Sequence, residues 1–133
     1  NQREKIINIV KDVFIEAPSW LKIIGEKFIN NKTKNRFDRK HSWMMIPLLI
    51  DHPKFNFMKI INIFEKNGIE TRPIISGNIL KHPVFNNLKV RSSKNLDTTN
   101  YIHKKGFMIG CHGNVTKQSI IILRKTLKEL KKL

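Results

Sequence analysis

Between Gly68 and Pro83 the chain carries a helix stop, a β-rich run and a turn in direct succession, and this combination constrains the fold most. Asn67-Gly68 has the chemistry that ends a helix. Ile69–Ile75 reads as a strand bearing one arginine, Arg72, which apolar alternation does not require there. Ser76-Gly77-Asn78 then reads as a turn. A strand that ends in Gly-Asn delivers its last residues to a surface.

The rest of the pattern is consistent with a small α+β layer arrangement. Ile6, Ile7, Val10, Val13 and Phe14 repeat at helical spacing over residues 3–15, and Pro18 stops them. Ser19 is expected to cap a second helix with Trp20, Leu21, Ile24 and Phe28 on one face. Asn30–Lys40 is polar and basic and reads as a linker. Trp43–Ile50 is a continuous apolar run, expected as a strand buried on both faces or edged at Pro47. Residues 56–67 form a helix with Phe57, Ile60, Ile61 and Phe64 on its stripe. Asp97 is expected to cap a helix through Lys105, with Tyr101 and Ile102 inward. Phe107–Cys111 reads as the last strand. Thr116 caps a final helix with Ile120, Leu123, Leu127 and Leu130 on one stripe. The strands are expected in one small sheet with helices packed on a face.

At 133 residues the chain has the length of one domain and can bury a core. Forty per cent apolar and 27% charged residues are ordinary for a soluble globular protein. No apolar run approaches the roughly 18 residues that span a bilayer. The amino end lacks an export pattern, and the lone Cys111 rules out an internal disulfide framework. A cytoplasmic location is expected. The first residue is Asn1 rather than methionine, and a fragment of a longer polypeptide is expected.

The charge is the loudest bulk property, 26 Lys plus Arg against 10 Asp plus Glu, formally +16. Such a field attracts polyanions. Its basic residues are nevertheless spread along the chain, and only Arg124–Lys132 concentrates them. A clustered basic stripe with interleaved aromatics, as nucleic-acid binding needs, is not seen.

Four pieces in order resemble the small carboxy-terminal domain of the DegT/StrS family of sugar aminotransferases, a fold-type I pyridoxal-phosphate architecture. They are Ser42-Trp43-Met44-Met45-Ile46-Pro47; Phe64-Glu65-Lys66-Asn67-Gly68-Ile69-Glu70-Thr71-Arg72-Pro73; Ser76-Gly77-Asn78-Ile79-Leu80-Lys81-His82-Pro83; and Asn100-Tyr101-Ile102-His103-Lys104-Lys105-Gly106-Phe107-Met108-Ile109-Gly110-Cys111-His112-Gly113 with its Thr-capped helix. The Thr-Arg and Gly-Asn pairs look most like the 4-keto-6-deoxyhexose 3-dehydrase branch. The resemblance covers residues 42–131, about two-thirds of the 133. Residues 1–40 carry no comparable match. Residues 1–40 are therefore expected as a helical lead-in and basic linker, and residues 41–133 as the aminotransferase-like small domain.

The resemblance implies an enzyme acting on a nucleotide-activated 4-keto-6-deoxy sugar, by transamination or 3-dehydration, in deoxysugar and lipopolysaccharide precursor synthesis. It implies pyridoxal phosphate, held by a lysine of a large domain, or pyridoxamine phosphate where histidine replaces that lysine. Neither the lysine nor the histidine lies in this chain, so this chain alone is expected to bind no cofactor and to be catalytically inert. The large domain, in cis or in trans, is an implied partner, and the full-length form is implied to be a homodimer.

Arg72 is the leading substrate-binding candidate, since a guanidinium at a strand end holds a sugar oxygen or phosphate bidentately. The plainer reading pairs it with Glu70 in solvent. Asn78 either binds substrate through its amide or is a turn residue tolerating positive φ. Gly77 is expected to allow close backbone approach or positive φ. His82 completes the substrate-binding set, against the plainer reading of a surface turn histidine. His82, His103 and His112 lack zinc-ligand spacing, and no metal is expected. Cys111 and His112 point to opposite faces of a strand, so they form no nucleophile dyad. The alternatives to an enzyme segment are a basic polyanion- or nucleic-acid-binding module and an inactive truncated remnant.

Overall fold

The computed structural model describes residues 2–26 and 43–133. The expected linker at Asn30–Lys40, the helical position of Phe28, and the 40/41 domain boundary all lie outside them.

Helix α1 (Gln2–Phe14) leads into a three-residue strand β1 (Leu21–Ile23), followed by β2 (Met45–Ile50), α2 (Phe57–Lys66) and β3 (Thr71–Pro73). Two short 3-10 turns at Ile79–Lys81 and Pro83–Asn87 precede α3 (Asp97–Lys105), β4 (Gly106–Gly110) and α4 (Lys117–Leu130). The sheet is antiparallel throughout, in the order β1-β2-β4-β3.

β2 alternates strictly. Ile46, Leu48 and Ile50 are fully buried, while Met45, Pro47 and Leu49 are half-exposed on the other face. The buried face meets Ile7 and Val13 of α1, Ile60 and Phe64 of α2, and Leu123, Leu127 and Leu130 of α4 in one core. Phe107 of β4 sits at its centre, with the Phe64 ring 5.2 Å away edge-on and Phe57 at 6.2 Å. Residues from both sides of the undescribed segment share this core, because β1 pairs with β2 and α1 packs against α4.

Three expectations are corrected. Residues 21–23 form a strand, not part of a helix, because Leu21, Lys22 and Ile23 pair with Ile50, Leu49 and Leu48. Trp20, expected on the face of that helix, packs tilted on Phe55 with the ring centroids 4.2 Å apart. Asp97 is the first residue of α3 rather than its cap, with Leu96 at the cap position. Tyr101 faces outward, its hydroxyl donating to Asp51 Oδ1 at 2.7 Å, and only Ile102 turns partly inward.

Pro47 stands inside a central strand. Its carbonyl accepts from Ile24 N–H at 2.9 Å, so the missing donor faces the side on which β1 has just ended. The ladder to β4 loses no bond, and the one forgone is the return bond to Ile24 O at the end of β1.

Among the described residues no helix is long and apolar enough to cross a membrane. Phe64 is wholly buried against Phe107, so Phe64→Ala leaves a cavity beneath the sheet. It is expected to cost about 3–5 kcal/mol in a denaturant titration.

Candidate functional site

Helix α2 ends where the sequence says it should. Asn67 caps it, Gly68 takes φ 79°, and Ile69 N–H reaches back to Phe64 O at 3.0 Å while Gly68 N–H reaches Glu65 O at 2.9 Å. This is a paired C-terminal stop that turns the chain sharply into β3. Glu65 then ties down the start of that strand, its Oε1 accepting from Thr71 N–H at 2.7 Å and Thr71 Oγ1 at 2.6 Å. Those two bonds, hydroxyl first, hold the Glu65 carboxyl below its ordinary value.

β3 lies on the sheet edge with Arg72 opposite Met108. Arg72 is exposed and pairs with Glu70, as the plainer reading had it. A solvent-exposed pair of this kind contributes little and is easily exchanged for another anion. The expected strand Ile69–Ile75 shortens to Thr71–Pro73, because Ile74–Gly77 forms a turn closed by Gly77 N–H to Ile74 O at 2.8 Å.

That turn is strained. Ile75 has φ 52° at its first central position, and its side chain is 76% exposed. A β-branched residue in the left-handed region costs of the order of 1–3 kcal/mol and persists only where surrounding contacts enforce it. Gly77 follows with φ 61°, and a Cβ on it would stand 2.3 Å from His103 Nδ1. Both expectations for Gly77, positive φ and close approach, are met together.

Asn78 departs from its positive-φ expectation. Its φ is −82°, and its side chain is 4% exposed. The Oδ1 accepts from Leu80 N–H at 3.1 Å, capping a 3-10 turn, and Nδ2 donates to Asn100 Oδ1 at 2.9 Å. Its backbone N–H donates to His103 Nδ1 at 3.1 Å. Asn78 is thus the frame of the turn. His82 is exposed, with Nε2–H donating to Ser76 O at 2.7 Å.

A groove of about 410 Å³ has Arg72, Ser76, Gly77, His82 and His103 on its wall. Arg72, Gly77 and His82, singled out in the sequence, thus lie on one groove, together with His103, which the sequence reading did not place there. A signal existed: Asn100 and His103 are three apart on a helix and share a face.

Cys111 is buried, its thiol pushed up by that burial, while its neighbour His112 is exposed. Among the described residues no three His, Cys, Asp or Glu side chains gather as metal ligands. On α4, Arg124 and Lys128 both lie near Glu16, at 3.2 and 3.6 Å, so this basic helix face is partly paired.

A cofactor cradle is a separate question, and the described residues do not fit one. Half-buried Lys105 has its Nζ held by His52 O and Phe55 O at 3.3 and 3.2 Å, a structural donor tying α3 to the 52–55 loop. The amino end of α4 is closed by its own Thr116–Ser119 box. The one buried side-chain oxygen lacking a partner among the described residues is Asn8 Oδ1, on α1 and outside the groove wall.

The sequence model of the DegT/DnrJ/EryC1/StrS aminotransferase family matches residues 1–127. The chain belongs to that family. The family match runs through the first 40 residues, where the motifs had shown no resemblance. The E. coli GDP-4-keto-6-deoxy-D-mannose-3-dehydratase with bound hydrated PLP superposes with a TM-score of 0.73 at 26% identity, over 95% of this chain and 30% of that one. A variant of GDP-4-keto-6-deoxymannose-3-dehydratase with bound GDP-perosamine gives 0.75 at 25% identity, with the same coverage. The dTDP-4-dehydro-2,6-dideoxy-D-glucose 3-dehydratase of Saccharopolyspora spinosa is 27% identical over 75 residues, 56% of this chain and 16% of that protein. The chain thus spans under a third of the relatives it matches. These family members are 3-dehydratases, the branch to which the Thr-Arg and Gly-Asn motifs pointed.

Two outcomes follow from this geometry. Gly68 and Gly77 share positive φ, but only Gly77 has a neighbour in the way. Gly68→Ala is expected to cost about 1 kcal/mol and Gly77→Ala distinctly more, as read from paired denaturation curves. The Glu65 bond has a pH signature. Because the folded carboxyl titrates below its unfolded value, its contribution is present above the ordinary glutamate range and is lost as pH falls through the folded pKa. Amide protection of Thr71 is expected to decay on that acid limb, and Glu65→Gln to abolish the dependence.

Proposed function

We propose that this chain is the carboxy-terminal small domain, residues 41–133 with a helical lead-in, of a nucleotide-sugar enzyme. The enzyme takes a nucleotide-activated 4-keto-6-deoxy sugar. The observation that carries the reading is the likeness over 95% of the chain to 3-dehydratases acting on such sugars, with Arg72 and Gly77 on one groove wall. Dehydration at C3 is favoured over transamination because each relative named above is a 3-dehydratase.

Pyridoxal or pyridoxamine phosphate would supply the electron sink of that chemistry. The described residues offer no cradle for it, and the reading places the cofactor in a large domain in cis or in trans. The full-length enzyme works as a homodimer in the cytoplasm, in surface-glycan precursor synthesis. This chain's own part is to bind and orient. Arg72 exchanges its Glu70 contact for a sugar or phosphate oxygen, a charge-assisted pairing that its planar fork suits. Gly77 lets the backbone come close to the substrate. His82 is held by Ser76 O at the groove rim. Asn78 acts from behind, by shaping the turn.

The test is binding of a nucleotide-linked 4-keto-6-deoxyhexose to the native polypeptide that carries these residues. Arg72→Ala is expected to weaken it about ten- to a hundredfold. Replacing Lys131 and Lys132 by alanine is expected to leave it within about twofold, since exposed terminal charges are screened. The reverse ranking, with steep salt dependence, marks a polyanion binder instead.

A further inference from the structure

The Ile74–Asn78 turn holds an energetically disfavoured backbone, and something must enforce it. The turn's own bond, Gly77 N–H to Ile74 O, closes it but does not fix its position on the domain. Two side chains of α3 do. His103 Nδ1 accepts from Asn78 N–H, and Asn100 Oδ1 accepts from Asn78 Nδ2, bridging 25 and 22 positions of sequence. Both ties are to a residue that is 4% exposed, so losing either leaves a shielded donor without its partner. Gly77 admits the imidazole against the backbone, where any Cβ would collide with Nδ1.

The geometry points to His103 as a positioning residue for nucleotide-sugar binding. It holds the Ile74–Asn78 turn in the shape that sets the groove wall between Arg72 and His82. The inference rests on the functional reading above and deepens it. Accepting from an N–H requires Nδ1 to be unprotonated, so the ring acts here as a neutral acceptor with its proton on Nε2. His103 touches no substrate in this role. It acts through Asn78 on a turn whose Ser76 carbonyl in turn holds His82 Nε2.

Asparagine offers a discriminating substitution, because its Oδ1 falls near the place of Nδ1 and can accept the same N–H. Leucine keeps bulk and removes the acceptor. The experiment compares wild type, His103→Leu, His103→Asn and Arg72→Ala in the native polypeptide, titrated with GDP-linked and dTDP-linked 4-keto-6-deoxyhexoses. Hydrogen exchange at the Asn78 amide is followed in parallel. His103→Leu is expected to speed that exchange and raise the Kd about tenfold, the usual scale for one lost bond to a shielded group. His103→Asn is expected to restore both to within about twofold. Should His103→Leu not fold, Asn100→Ala removes the other α3 tie and is expected to give the same pair of effects.

Unchanged exchange in His103→Leu overturns the clamp. Faster exchange with unchanged Kd overturns its role in binding. Equal loss in His103→Leu and His103→Asn, with slow exchange in both, overturns it in favour of direct contact between the ring and the sugar nucleotide. If wild type binds neither sugar nucleotide, the functional reading itself fails and takes the role of His103 with it. That result is distinct from wild-type binding that is lost in Arg72→Ala and kept in His103→Leu.

Discussion

The register of β3 on β4 is the constraint on which the groove depends. Thr71 lies opposite Ile109, Arg72 opposite Met108 and Pro73 opposite Phe107. A slip of one residue would turn Arg72 to the face that carries Phe107 and Ile109 and turn Thr71 away from it. Three residues of pairing are too few to hold that register alone. It is held at one end by Glu65, which grips Thr71 through two bonds, and at the other by the turn docked on α3. Because α3 runs directly into β4, the residues that dock the turn and the strand that pairs with β3 form one continuous piece. Phe107 anchors that piece in the core, wholly buried between Phe57 and Phe64. Packing under the sheet thereby sets the position of an arginine above it.

Much of this was legible in the residues. The stripes of α1, α2 and α4 are long and regular, and their buried apolar positions fall within those that the periodicity picks out, whereas buried Thr126 was not among them. The helix stop at Asn67-Gly68 was equally plain, since local backbone geometry alone dictates it. β1 was not legible. Trp20, Leu21 and Ile24 fit a helical stripe as well as Leu21 and Ile23 fit a strand, and what decides is pairing with Leu48–Ile50 far along the chain. The same limit governs the site. Arg72 stood out because nothing local required it. Asn78 looked like an exposed turn residue, and its burial comes from two α3 side chains that no spacing rule links to it. His103 drew attention only as a candidate metal ligand, when its actual partner is a backbone amide.

The structure suggests a division of labour. Its described residues supply a groove wall with an exposed cation, a close-approach glycine and a braced turn, and Lys105, the half-buried lysine at the end of α3, is taken up by two backbone carbonyls. Exposed apolar side chains at Ile75, Ile79, Val84 and Leu88 lie on the same stretch as the groove residues, a surface better suited to a partner than to water. The formal charge of +16 favours anionic ligands in general, while on the proposed reading the groove geometry gives the discrimination. Specificity of this kind rests on placing few groups well rather than on the total field.

The most direct test is the mass and cofactor content of the polypeptide that carries this sequence in its source cell. The account predicts a product about three times this length, since 95% of the chain corresponds to 30% of the matched dehydratases, or a tight complex of that size. It also predicts that pyridoxal or pyridoxamine phosphate is bound to the part outside residues 1–133. A free chain of this length, with no partner and no cofactor, would contradict it.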